Sequence, residues 1–241
     1  MKILAGTSGF AFKEWKGPFY PADLKDAGML AYYASRFPTV EINNTFYRMP
    51  KESVLLDWAS KVPEEFTFAI KASQRITHFA RLKPEATEHV EYLVRTTAAL
   101  AERLGPILFQ LPPNMKKDAG RLRAFLEKLP EGRRYAMEFR HPSWFDDETL
   151  DALREHRVAF VSIDQDDFSS PVRCTAAWAY LRLHRLDYSA DALAQWAAQV
   201  RALDCKEAYV FFKHDHVPES SGSGPLAVDA FVRVLAGDAK D

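Results

Sequence analysis

The chain has 241 residues, 47% of them apolar, and 32 Lys and Arg against 33 Asp and Glu leave a net charge of −1. That much apolar material excludes general disorder. The balanced charge excludes the overall basic footprint of a general nucleic-acid binder, though not a local basic groove.

Two cysteines, Cys174 and Cys205, lack metal-type spacing and suggest a reducing compartment without a disulfide framework. Met1 to Ala5 turns polar too soon for the apolar core of a signal peptide. No apolar run approaches the roughly 20 residues of a bilayer span. The expectation is a soluble cytoplasmic protein with no membrane partner.

Residues 3–6 read as a first short strand ending in Gly6-Thr7-Ser8-Gly9. An aromatic-rich loop follows, and then a helix over 24–36. Thr39 to Ile42 is the second strand; its end spills Glu41, Asn43, Tyr47 and Arg48 before Pro50. A helix over 51–60 and a third strand over 66–71 come next. Period 2 puts Phe66, Phe68 and Ile70 on one face and Thr67, Ala69 and Lys71 on the other. The loop beyond carries Gln74, Arg75, Thr77 and His78.

Pro84 opens the longest helix, with Gly105 expected as its C′ residue and Pro106 as its stop. A fourth strand, 107–110, ends at Gln110. Asp118 is placed to cap the next helix. The fifth strand, 134–140, carries Glu138 and Arg140 into His141, and Asp146 is placed to cap another helix. After the sixth strand, 158–164, Ser169, Ser170 and Pro171 predict irregular backbone instead of a helix. The seventh strand, 178–183, runs into His184, and Ser189 caps a helix. The eighth, 208–213, leads through a polar segment to a helix from Pro225.

Eight short apolar strands, nearly all followed by helical patterns, predict a parallel sheet. Closure gives an α/β single (β/α)8 TIM-type barrel over 1–241, with an irregular loop replacing the helix after strand 6 and a frayed tail at 237–241. Such barrels typically need about 250 residues. The competing open doubly wound sheet would show G-x-G-x-x-G after its first strand, and Gly6-Thr7-Ser8-Gly9 does not.

Several strand ends occur together: Gly6 to Gly9, Trp15 to Pro21, Val40 to Pro50, Lys71 with Ile76-Thr77-His78, Gln110 to Pro113, Glu138 to Trp144, and Tyr180 to His184. In this order, over nearly the whole chain, they resemble the YecE-like family, domain-of-unknown-function family seventy-two. The resemblance implies a TIM-type barrel and no established reaction. Many relatives resemble Tyr-x-Tyr-Phe-Asn-Asn at the eighth strand. Here Tyr209-Val210-Phe211-Phe212-Lys213-His214 stands instead, so amide roles do not carry over. Phe12 likewise stands where the family has an aromatic residue, often tyrosine, so a phenol role does not carry over.

In a TIM barrel the polar residues at strand C-termini converge on one mouth. Glu41 and Glu138 are therefore candidates for acid and base, with Lys71 as a third catalytic candidate. An equally weighted reading pairs the two glutamates with Lys71, Arg140 or Arg182 in a structural ion network. Substrate-binding candidates are Thr7, Ser8, Asn43, Tyr47, His78, Gln110, Arg140, His141, Asp164, Arg182, His184, Lys213 and His214. Ser223 and Gly224, before Pro225 at N1, are candidates for an anion site, against a simple Gly/Ser loop. The histidines with Glu138 and Asp164 would suit a divalent cation, but H-E-x-x-H is absent and ordinary hydrogen-bonded histidines are the favoured reading. The expected function is acid–base chemistry on a small polar or anionic, phosphorylated or sugar-like, substrate. The alternative is a ligand- or nucleic-acid-binding protein without turnover.

Overall fold

The computed structural model describes residues 1–213 and 224–237. Eight parallel strands are joined in the order β1-β8-β7-β6-β5-β4-β3-β2. They are β1 (Lys2–Thr7), β2 (Thr39–Ile42), β3 (Thr67–Lys71), β4 (Leu104–Gln110), β5 (Tyr135–Glu138), β6 (Ala159–Asp164), β7 (Trp178–Leu183) and β8 (Glu207–Phe212). The two end strands meet at a Ser8–Glu41 bridge, which leaves a nearly closed TIM-type barrel. The helices around it are α1 (Met29–Arg36), α2 (Glu52–Ser60), α3 (Ala86–Thr97), α4 (Ala119–Leu126), α5 (Asp147–Glu155), α6 (Ala190–Arg201) and α7 (Gly224–Ala236). None is long and apolar enough to cross a membrane.

The period-2 alternation of the strands sorts side chains into two buried layers. Inside the barrel, Trp178, Tyr180, Tyr209 and Phe211 of β7 and β8 face the small Ala69, Ala136 and Ala159. Large residues from one side fill the space that small ones leave on the other. The outer layer, including Phe68, Ile70, Phe109, Leu181 and Val210, packs under the helices.

Asp118, Asp146 and Ser189 cap α4, α5 and α6, each accepting from the backbone N–H three residues on. Other boundaries differ from expectation. α1 starts only at Met29, after a 3₁₀ turn at Asp26–Gly28. α3 ends at Thr97, and a 3₁₀ segment interrupted at Ala101 (φ 48°) follows. Gly105 and Pro106 are therefore inside β4 rather than at a helix stop. Between β6 and β7 no helix forms, as expected. Hydroxyls hold this segment instead: Ser170 Oγ accepts from Ile163 N at 2.9 Å, and Thr175 Oγ1 from Phe160 N at 2.8 Å.

The seam between β1 and β2 depends on a side chain. A Cβ at Gly6 would lie 2.1 Å from Thr39 O, so only glycine lets the strands approach. Tyr33 of α1 inserts its hydroxyl there. It accepts from Thr7 N at 2.7 Å and donates to Thr39 O at 3.1 Å, replacing a ladder bond. Tyr33→Phe strands both buried backbone groups, which costs about 1–3 kcal/mol. The expected result is a Tm lower by roughly 5 °C and faster hydrogen exchange at the Thr7 amide. An unchanged exchange rate there would contradict the bridging role.

Candidate active site

The mouth is built from inward-facing residues at the C-terminal ends of the strands. Arg182, on β7, lies between two carboxylates from opposite sides of the barrel. Its Nη2 donates to Glu41 Oε1 at 2.9 Å, and its Nη1 to Glu138 Oε2 at 2.6 Å. Nη1 also reaches Gln110 Oε1 at 3.2 Å. Both glutamates and the arginine are buried.

Glu41 is saturated. Its Oε1 also accepts from Ser8 Oγ at 2.6 Å and from Asn43 Nδ2 at 3.1 Å, and its Oε2 accepts from Tyr180 at 2.6 Å. Burial alone would raise its pKa, but Arg182, Ser8 and Tyr180 outweigh it and hold the carboxyl below its ordinary value. Glu138 behaves alike. Burial pushes it up, while Arg182 and Arg140 pull it lower. Arg140 is itself fixed, with Nε on Glu138 and Nη1 on Gln165 Oε1 at 2.6 Å. Burial opposes the charge on Arg182, and the two glutamates more than offset this, so its pKa is raised.

Lys71, at the end of β3, differs in kind. Among the described residues no carboxylate pairs with its ammonium, which sits 4.4 Å from the centre of the Phe46 ring. Desolvation, followed by the Arg182 charge, outweighs the help of Glu138 and Glu41 and lowers its pKa to about 8. Thr45 positions this corner, donating to Lys71 O at 2.6 Å. On the far side, Ser8 Oγ gives its proton to Glu41 and lies 3.0 Å from His184 Nε2. The ring must then carry its proton on Nε2 for that contact to be a hydrogen bond. Ser8 is engaged by a carboxylate and not poised as a nucleophile, in line with the missing G-x-S-x-G.

A family model described as "Protein of unknown function DUF72" matches residues 4–240. The chain belongs to the DUF72 family. It is 34% identical over 141 residues to the UPF0759 protein YecE of Escherichia coli K12, and 30% identical over 133 residues to the UPF0759 protein YunF of Bacillus subtilis. These alignments cover 56% and 52% of this chain, and the chain spans about half the length of each relative, 52% and 47%. The crystal structure of a DUF72 family protein from Thermotoga maritima, TM1631, is 30% identical, covers 100% of both chains and superposes with a TM-score of 0.83.

The DUF72 barrel thus brings Ser8, Glu41, Asn43, Lys71, Gln110, Glu138, Arg140, Arg182 and His184 to one mouth. Other expected site residues lie elsewhere. Thr7 faces outward to Tyr33 of α1. Asp164 also faces out, because Val161 takes the inward phase of β6; it accepts from Tyr188 at 3.1 Å and Trp196 Nε1 at 3.2 Å and pairs with Arg185. His141 caps a 3₁₀ turn, with Nδ1 accepting from Ser143 N. His78 packs edge-on to Phe46, and Tyr47 is exposed at the rim. Lys213 follows β8, its backbone N–H bonded to Leu183 O. Gly224 is buried, a Cβ there lying 3.6 Å from the Trp15 ring. His214 and Ser223 lie outside the described residues.

Three participants were missed. Tyr180 sits two residues before Arg182 on the same strand face, so period 2 pointed to it. Phe46 is the platform under Lys71. Gln165 is in irregular backbone, where no periodicity signals its contact with Arg140. Among the described residues no three His, Cys, Asp or Glu side chains gather as metal ligands. The carboxylates of the mouth are committed to guanidinium and hydroxyl groups.

Proposed function

We propose that the mouth is an active site for proton transfer on a small anionic substrate, phosphorylated or sugar-like, with Lys71 as the group that moves the proton. The observation that supports this is the Lys71 amine, with no carboxylate partner among the described residues and a pKa lowered by burial to about 8. A general base works best with a pKa near the operating pH. Glu41 and Glu138 then serve as the frame that fixes Arg182, since groups held ionised by several donors are poor proton carriers.

Charge favours an anion. While Lys71 is protonated, two buried carboxylates stand against the three cations Arg140, Arg182 and Lys71, so positive charge is in excess below about pH 8. Two buried polar atoms there, Arg182 Nε and Asn43 Oδ1, have no partner among the described residues. They are suited to a ligand's acceptor and donor, respectively.

The test begins with a thermal-shift screen of phosphorylated sugars and sugar acids. Each ligand that binds is then incubated in D2O and followed by NMR. The wild type exchanges a substrate C–H for deuterium, at a rate rising with pH toward about 8. Lys71→Met loses the exchange by about a hundredfold or more while still binding. A ligand that binds in the mouth and exchanges equally fast in Lys71→Met would refute the role of Lys71.

A further inference from the structure

A groove runs outward from the mouth along the loops after β2 and β3 and the start of α3. It consists of two concavities of about 500 and 280 Å³ that share Arg75 and His89. Tyr47, Phe79 and Tyr92 line it and are 76%, 71% and 47% exposed. Among the described residues, no other aromatic side chain is as exposed as these. Leaving three large rings in water at one place costs solvation free energy that packing elsewhere in the chain avoids.

The groove also gathers cations. Arg48, Arg75 and Lys83 are exposed there, and no ion pair among the described residues involves them. Glu85 is the single acidic residue of the lining. The groove also connects physically to the mouth. Tyr47 packs edge-on against Phe46 at 5.0 Å, and the Lys71 ammonium also lies against that ring.

We propose that this groove binds single-stranded nucleic acid. Unpaired bases offer the flat faces that Tyr47, Phe79 and Tyr92 would stack on, and the backbone phosphates would meet Arg48, Arg75 and Lys83. A duplex hides its base faces and leaves the rings without a role. A neutral glycan stacks on aromatics but makes no use of the three cations. The net charge of −1 is no obstacle, because the footprint is local. The inference stands apart from the proton-transfer reading, since it uses neither Lys71 nor the Arg182 network.

The test is fluorescence anisotropy with a labelled oligothymidylate of about a dozen nucleotides. Three neutralised phosphates give a slope of about −2 in log K against log salt, so affinity falls roughly twentyfold between about 50 and 200 mM. Phe79→Ala and Tyr92→Ala each weaken binding by about tenfold. Arg75→Gln reduces the salt slope by about 0.7. Glu85→Gln tightens binding. These positions are exposed, so the variants keep the wild-type circular dichroism spectrum. Three outcomes would overturn the proposal: no binding at low salt, affinity indifferent to the aromatic changes, or a neutral oligosaccharide displacing the oligonucleotide.

Discussion

Arg182→Met is expected to cost about 3–5 kcal/mol of folding stability, the range for breaking a buried ion pair from one side. That is a large share of the roughly 5–15 kcal/mol that holds a domain folded. The reason is what remains. Glu138 keeps Arg140, and Glu41 keeps Ser8, Asn43 and Tyr180, but two ionised carboxylates stay buried without the cation between them. In differential scanning calorimetry the Tm should drop by roughly 10 °C or more at neutral pH. The loss should shrink in acid. There the stranded carboxylates of the variant take up protons, whereas the wild-type glutamates, with lowered pKa values, hold their charge and lose their stabilising effect only as pH falls through those values. Adding Glu138→Gln to Arg182→Met should restore part of the stability, because it removes one stranded charge. A loss that is the same at pH 7 and in acid, with no recovery in the double variant, would show that Arg182 acts by packing alone.

The barrel was legible because its signals repeat. Phe66-Thr67-Phe68-Ala69-Ile70-Lys71 shows by alternation alone which residues face the helices and which face the interior, and the structure keeps that assignment for β3. The mouth followed from placing polar strand ends together, which is how Glu41, Glu138 and Arg182 came to be considered jointly. What escaped was information that no single strand carries. Ser162 and Asp164 on β6 alternate with Val161 and Ile163, so the segment reads as one apolar and one polar face. In a barrel with a polar mouth, the polar face looks like the inner one. It is the outer one, because the helix-free segment after β6 supplies Arg173 N to Ser162 and α6 supplies Trp196 to Asp164. Thr7 was misplaced for a related reason. Its partner, the Tyr33 hydroxyl, comes from a helix that sequence periodicity treats as mere packing. Lys71 was visible as a residue, but its unusual protonation was not. That depends on the Phe46 ring and on the sum of several charges across the barrel.

Lys71→Met is expected to make the protein more stable at neutral pH, by up to roughly 3 kcal/mol for a shift from the ordinary lysine value of 10.5 to about 8. The sign follows from proton binding. Between pH 8 and 10.5 the unfolded chain holds a proton on this amine and the folded chain does not, so wild-type stability rises with pH across that window. Below it, both states are protonated and the folded protein bears the full penalty of a poorly solvated ammonium. Methionine has a similar length and no charge, so it escapes that penalty at every pH. Urea unfolding at a series of pH values should therefore show a gap between variant and wild type that is constant below pH 8 and closes toward pH 10.5. Lys71→Arg gives the opposite pattern. Its guanidinium cannot shed the proton, so it should be less stable than the wild type throughout that window. A stabilised but inactive Lys71→Met protein would show that the fold keeps an unfavourable charge where its chemistry uses it. A gap that does not change with pH, or a destabilised Lys71→Met, would mean that the amine is well solvated or well paired. The proton-transfer proposal would then lose its support.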